Sequence, residues 1–122
     1  MATIKPIPPL TLGQKQRLFV RFLGLLINYA YSKRYEFSLG EGYVGDSINK
    51  PTEDTPHIRH GAHFTRLGID LNLFINGVWI TDGAHPAWND LATFWKALHP
   101  LCRAGLDFKD ANHFSIYHNG IS

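Results

Sequence analysis

The stretch LGIDLNLFINGVWIT, residues 67 to 81, constrains the fold more than any other part of this chain. Leu67, Ile69, Leu71, Leu73 and Ile75 alternate with Gly68, Asp70, Asn72 and Phe74, which is the period-2 pattern of a strand with one face buried. Asn76-Gly77 is the dipeptide that a two-residue type I′ turn demands, so VWIT must return as the antiparallel partner. A helical bundle is thereby excluded. The register also matters for chemistry, because it places the Asp70 carboxylate on the face away from the apolar one.

The flanking segments supply helices to cover that apolar face. Thr11 with Gln14 three residues on is a capping box, and Leu18, Phe22, Leu26 and Tyr29 recur at helical spacing, widened by Phe19, Leu23 and Ala30. The first helix is expected over 12 to 34, with Lys15, Arg17 and Arg21 on the outer side and Lys33 and Arg34 in the last turn. YEFSL, residues 35 to 39, reads as a short strand. Trp88, Leu91, Trp95 and Leu98 predict a second helix over 87 to 99, ended by His99-Pro100. LCRAGLDF is expected to be a Gly-containing turn, and HFSIYH, 113 to 118, a last strand. The fold class is therefore α+β: a small antiparallel sheet with helices packed on one face.

At 122 residues the chain accommodates one domain, 1 to 122, preceded by a Pro-rich extended lead-in over 1 to 10. Residues 41 to 62 are rich in Gly, Asp, Asn, Pro and Thr without apolar periodicity, which predicts a long functional loop. The net charge of +2 is scattered and provides no nucleic-acid footprint. The apolar run FVRFLGLLINYAY is interrupted by Arg21 and Asn28 and is too short to span a membrane. The N-terminus shows no secretory signal, so synthesis in a cytoplasm is expected. Cys102 is the sole cysteine, which rules out an internal disulfide framework and a cysteine zinc ribbon.

The candidate chemistry begins at HFTRLGID. His63 and Asp70 are a nitrogen and an oxygen ligand of the type zinc accepts. Their separation of seven would put them on opposite faces of one continuous strand, so both serve one metal only if His63 lies in the loop before it. His113 is the chosen third ligand, and Asp110, in DANH, is placed to act as general base towards water and then to protonate a departing amine. His57, His85, His99 and His118 are read as ordinary polar residues. Trp88 and Trp95 are read as core, and Trp79 stays open between core and sugar platform.

HFTRLGIDLNLF, a hairpin, a Trp-rich helix and DFKDANHFSI together resemble the zinc peptidases that include D-Ala-D-Ala carboxypeptidases and phage L-alanyl-D-glutamate endopeptidases. The resemblance spans roughly residues 15 to 118. It is nearest to small phage-encoded members, in KQRLFVRFLGLLINYAYSKRYEFSLGEGY and FWKALHPLCR. It implies a hedgehog/DD-peptidase-like fold with Zn2+ on the sheet face opposite the helices, held by His63, Asp70 and His113, with Asp110 as catalytic base. It further implies a monomeric endolysin-type hydrolase that cuts peptidoglycan stem peptides, reaching the wall after release or as a virion component. The alternatives are a D-Ala-D-Ala carboxypeptidase or a zinc-binding virion module without turnover. Gly61 replaces the family's usual Ser, Tyr43-Val44 its Arg, and Ala104-Gly105-Leu106 its Trp-Gly-Gly. Arg59, Arg66 and Arg103 are candidates for the missing cation, with Arg66 favoured because it lies between the ligands. His60 and Ser115 are further candidate substrate contacts.

Overall fold

The structure is a computed structural model and describes residues 8–40 and 65–122. The expected long loop, together with His57, Arg59, His60, Gly61 and His63, lies outside the described residues. Helix α1 (Leu12–Ser32) is followed by strands β1 (Tyr35–Leu39), β2 (Gly68–Ile75) and β3 (Val78–Trp79), helix α2 (Pro86–Leu98), strand β4 (Cys102–Ala104), a 3-10 helix (Gly105–Phe108) and strand β5 (His113–Ile116). All strand pairs are antiparallel. The order is β1-β2-β5-β4, with β3 pairing β2 at its hairpin end.

The hairpin forms as its dipeptide requires. Asn76 and Gly77 both take positive φ, 52° and 76°, and Ile75 pairs with Val78 across the turn. Thr11 and Gln14 make the reciprocal capping box of α1, with the Thr11 N–H donating to Gln14 Oε1 at 2.8 Å. The C-terminus of α1 differs from expectation. Lys33 is the cap and Arg34 turns to φ 63°, so the two cations follow the last turn and reverse the chain directly into β1.

Lys15 is a second correction. It lies on the buried side of α1, where its ammonium donates to His118 Nδ1 at 3.0 Å. The long apolar stem lets the residue lie along the core while its charged end meets an acceptor from the C-terminal segment. Sequence periodicity does not register such a contact, because the partner lies 103 positions away.

The core gathers Phe19, Phe22, Leu26 and Ala30 of α1, Trp88, Leu91 and Trp95 of α2, and Leu71, Leu73, Phe114 and Ile116 of the sheet. Trp95 is fully buried, meets Phe19, Phe22 and Phe114 edge to face, and donates its indole N–H to the Ser115 carbonyl at 3.0 Å. A second tie joins both helices to β1. Asp90 accepts from the Tyr29 hydroxyl at 2.5 Å and the Tyr35 hydroxyl at 3.2 Å, and Tyr29 stacks on Phe94 at 4.1 Å. These bonds to a carboxylate raise the Tyr29 pKa, while for Tyr35 burial is the larger cause.

Two pieces of local chemistry were not legible in advance. His85 caps α2 by accepting from the Ala87 N–H through Nδ1, with Pro86 at the first helical position. Cys102-Arg103-Ala104, expected as part of a turn, is an edge strand on β5. Burial pushes the Cys102 thiol up to about 11, which makes it a small core residue rather than a nucleophile.

Replacing Trp95 by Phe keeps most of the packing but removes the indole N–H donated to the buried Ser115 carbonyl. The expected loss is about 1–3 kcal/mol of unfolding free energy in urea titrations. An unchanged midpoint would show that this bond contributes nothing.

Candidate metal centre

Strand parity separates the sheet's two faces. Leu71 and Leu73 of β2 and Phe114 and Ile116 of β5 enter the core beneath the helices, so Asp70 and His113 belong to the opposite face. The β2–β5 register then pairs Asp70 directly with His113. His113 Nδ1 lies 3.1 Å from Asp70 Oδ1, with both side chains largely shielded from solvent, at 5% and 14% exposure. Residues opposite one another in an antiparallel pair are the closest side-chain neighbours a sheet offers.

Asp110 joins them from the turn that leads into β5. One ligand-type atom from each of Asp70, Asp110 and His113 falls within 4.8 Å of the others, so this group can hold a metal ion. The chemistry of the donors fits zinc, which takes imidazole nitrogen and carboxylate oxygen. His113 Nδ1 and Asp70 Oδ1 stand within hydrogen-bond distance of one another. The three residues differ in burial: His113 is buried, Asp70 intermediate and Asp110 exposed. Asp110 is therefore the member with access to solvent.

Two glycines let the backbone close around this group. A Cβ on Gly105 would overlap the Asp110 carbonyl oxygen and fall 2.6 Å from His113 Cβ. The Asp110 N–H donates to the Gly105 carbonyl at 2.8 Å, and the His113 N–H donates to the Asp110 carbonyl at 3.0 Å. The turn thus hangs on a residue with no side chain. Gly40 is equivalent for the other carboxylate: its N–H donates to the Asp70 carbonyl at 2.8 Å, and a Cβ there would meet that oxygen at 2.9 Å. Gly40 thereby fastens the end of β1 to β2 beside Asp70. The signal available for Gly105 is its position five residues before the acid of DANH, which no local pattern distinguishes from an ordinary turn glycine.

A cavity of about 330 Å³ opens beside the acid, lined by Asn72, Trp79, Thr81, Trp88, Lys109 and Asp110 among others. Trp88 belongs to the core as expected, 3% exposed, yet also walls this cavity; Trp79 is 57% exposed and stacks on Phe74. Phe108 leans on the His113 ring with centroids 5.8 Å apart.

Of the residues singled out from sequence, Asp70, His113 and Asp110 are brought together. His63 and His60 lie outside the described residues. Arg66 is exposed with φ 59°, at the entry to β2. Arg103 donates to the Pro100 carbonyl at 2.7 Å and covers the Tyr117 ring, which commits it to the β4 edge. Ser115 is fully buried opposite Gly68, inside the sheet rather than on a surface open to substrate. No known protein family matches the chain, and no curated protein matches it.

Gly105→Ala is expected to lower both the melting temperature and the affinity for Co2+ as a spectroscopic metal probe, because Asp110 and His113 must move to admit the methyl group. Gly83→Ala is the control, since its Cβ would make only an ordinary 3.6 Å contact with Ala111. Equal Co2+ binding by the wild type and Gly105→Ala would contradict the role given to this glycine.

Proposed function

We propose that the chain is a zinc-dependent peptidase acting on peptidoglycan stem peptides, of the endolysin L-alanyl-D-glutamate endopeptidase type. The observation that carries this reading is the convergence of Asp70, His113 and Asp110 on the sheet face opposite the helices, beside a cavity. It is the grouping that the resemblance to zinc D-Ala-D-Ala carboxypeptidases and phage endopeptidases requires of these positions. Asp70 and His113, with His63, would hold the zinc ion. When bound, zinc supplies Lewis acidity, polarising the scissile carbonyl and acidifying the attacking water.

The remaining steps belong to the protein. Asp110, exposed at the cavity wall, accepts the proton of the attacking water on its carboxylate and delivers it to the departing amine nitrogen. Asp70 and His113, largely buried and fixed by the β2–β5 register, keep their donor atoms in place without reorganisation during the reaction. The cavity admits the peptide next to the acid. Division of the two carboxylates by exposure is what supports giving them different roles.

The test is product identification. Purified protein with added zinc is incubated with cell-wall peptidoglycan, and new amino termini are located by mass spectrometry. A new D-glutamate amino terminus is expected, abolished by chelator and reduced by at least about 100-fold in Asp110→Asn. Release of free D-alanine would identify the carboxypeptidase alternative. Zinc binding with no cleavage of any stem peptide would overturn the peptidase reading and leave a metal-binding module.

A further inference from the structure

Resting on the peptidase reading, we propose that Lys109 is the substrate anchor, binding a carboxylate on the residue that supplies the departing amine. Lys109 lines the cavity that contains Asp110 and also a second, more apolar one of about 330 Å³, walled by Ala84, Leu106 and Ala111. Gly83 and Ala111 border both, so Lys109 stands where two adjoining spaces meet. Among the described residues it is the one cation in either wall.

Among the described residues its charge is not paired. Lys96 pairs with Asp107 at 3.0 Å and Lys15 with His118, but Lys109 has neither an ion pair nor a side-chain hydrogen bond among the described residues. Lys109 ends the 3-10 helix at φ 62° and ψ 33°, a left-handed conformation in which glycine or asparagine would be the unstrained choice. Lys109 thus stands at a cavity edge, exposed, with its ammonium uncommitted among the described residues.

The position fits the chemistry of the bond. Asp110 is the acid that returns a proton to the departing nitrogen, and Lys109 lines the same cavity, within which its ammonium can meet a group on the carbon bearing that nitrogen. In the stem peptide that carbon carries a free carboxylate in both bonds under consideration: D-glutamate continues through its side-chain carboxyl, and a terminal D-alanine ends the chain. An ammonium there neutralises the substrate's anion next to the carboxylate of Asp110, which would otherwise repel it. Substrates whose glutamate carboxylate has been converted to an amide lose this contact.

The experiment compares wild type, Lys109→Gly and Lys109→Arg, each loaded with zinc, on L-Ala-γ-D-Glu-L-Lys and on the same tripeptide with the glutamate α-carboxylate amidated. Lys109→Gly should fold with an undiminished melting temperature, because glycine suits the left-handed backbone. Its KM for the acid substrate should rise roughly 10- to 100-fold with kcat little changed, the loss expected for a charge-assisted hydrogen bond. Arg should restore KM, and the amide should show the same high KM in the wild type and Lys109→Gly. A parallel titration in the Asp110→Asn background follows the Trp79 and Trp88 indole resonances with the same two peptides. Cleavage with a KM indifferent to Lys109 and to the amide overturns the anchor and leaves the peptidase standing. Binding that depends on Lys109 and on the carboxylate, without cleavage in the wild type, upholds the anchor and removes the peptidase. Absence of binding and of cleavage overturns both.

Discussion

The antiparallel pairing of β2 with β5 is the constraint on which the rest depends. It sets Asp70 opposite His113 and brings their side chains to 3.1 Å, although the two residues are 43 positions apart in sequence. Because side chains alternate, a slip of one residue in this register would send Asp70 or His113 into the core beneath the helices. The apolar residues therefore do double duty. Leu71, Leu73, Phe114 and Ile116 hold the register by their burial, and the polar residues between them are aligned as a consequence.

The supports around that pair are backbone devices rather than side-chain ones. Gly105 allows the turn carrying Asp110 to close against β5, and Gly40 allows β1 to lie on the Asp70 backbone. On the far side of β5, Trp95 fixes the strand through the Ser115 carbonyl, so a core residue of α2 is bonded to the strand that presents His113. A group of buried and half-buried ionisable side chains is costly unless paired. Here the shape that makes them converge is maintained by residues that carry no charge.

Much of this architecture was legible in the amino-acid order, and the reasons are local. The hairpin announces itself through strict alternation and Asn76-Gly77, α1 through a capping box and a long apolar stripe, and α2 through its tryptophans. Asp70 stood out through strand alternation in HFTRLGID, and His113 and Asp110 through the DANH pattern at the opening of the last strand. What local pattern could not supply was distance. The placement of β5 between β2 and β4, the conversion of Cys102–Ala104 into a strand, the burial of Lys15 against His118 and the steric demand on Gly105 are all set by partners far along the chain. His85 escaped for a different reason, since histidine is an uncommon helix cap and Pro86 reads equally well as a breaker.

The central proposal is that Asp70 and His113, grouped with Asp110, hold a metal ion. Native mass spectrometry of the protein desalted after exposure to one equivalent of zinc measures this directly. One zinc per chain is predicted for the wild type, and none for His113→Ala or Asp70→Ala when both retain the wild-type circular dichroism spectrum. A wild type that carries no zinc, or folded variants that retain it, would contradict the account.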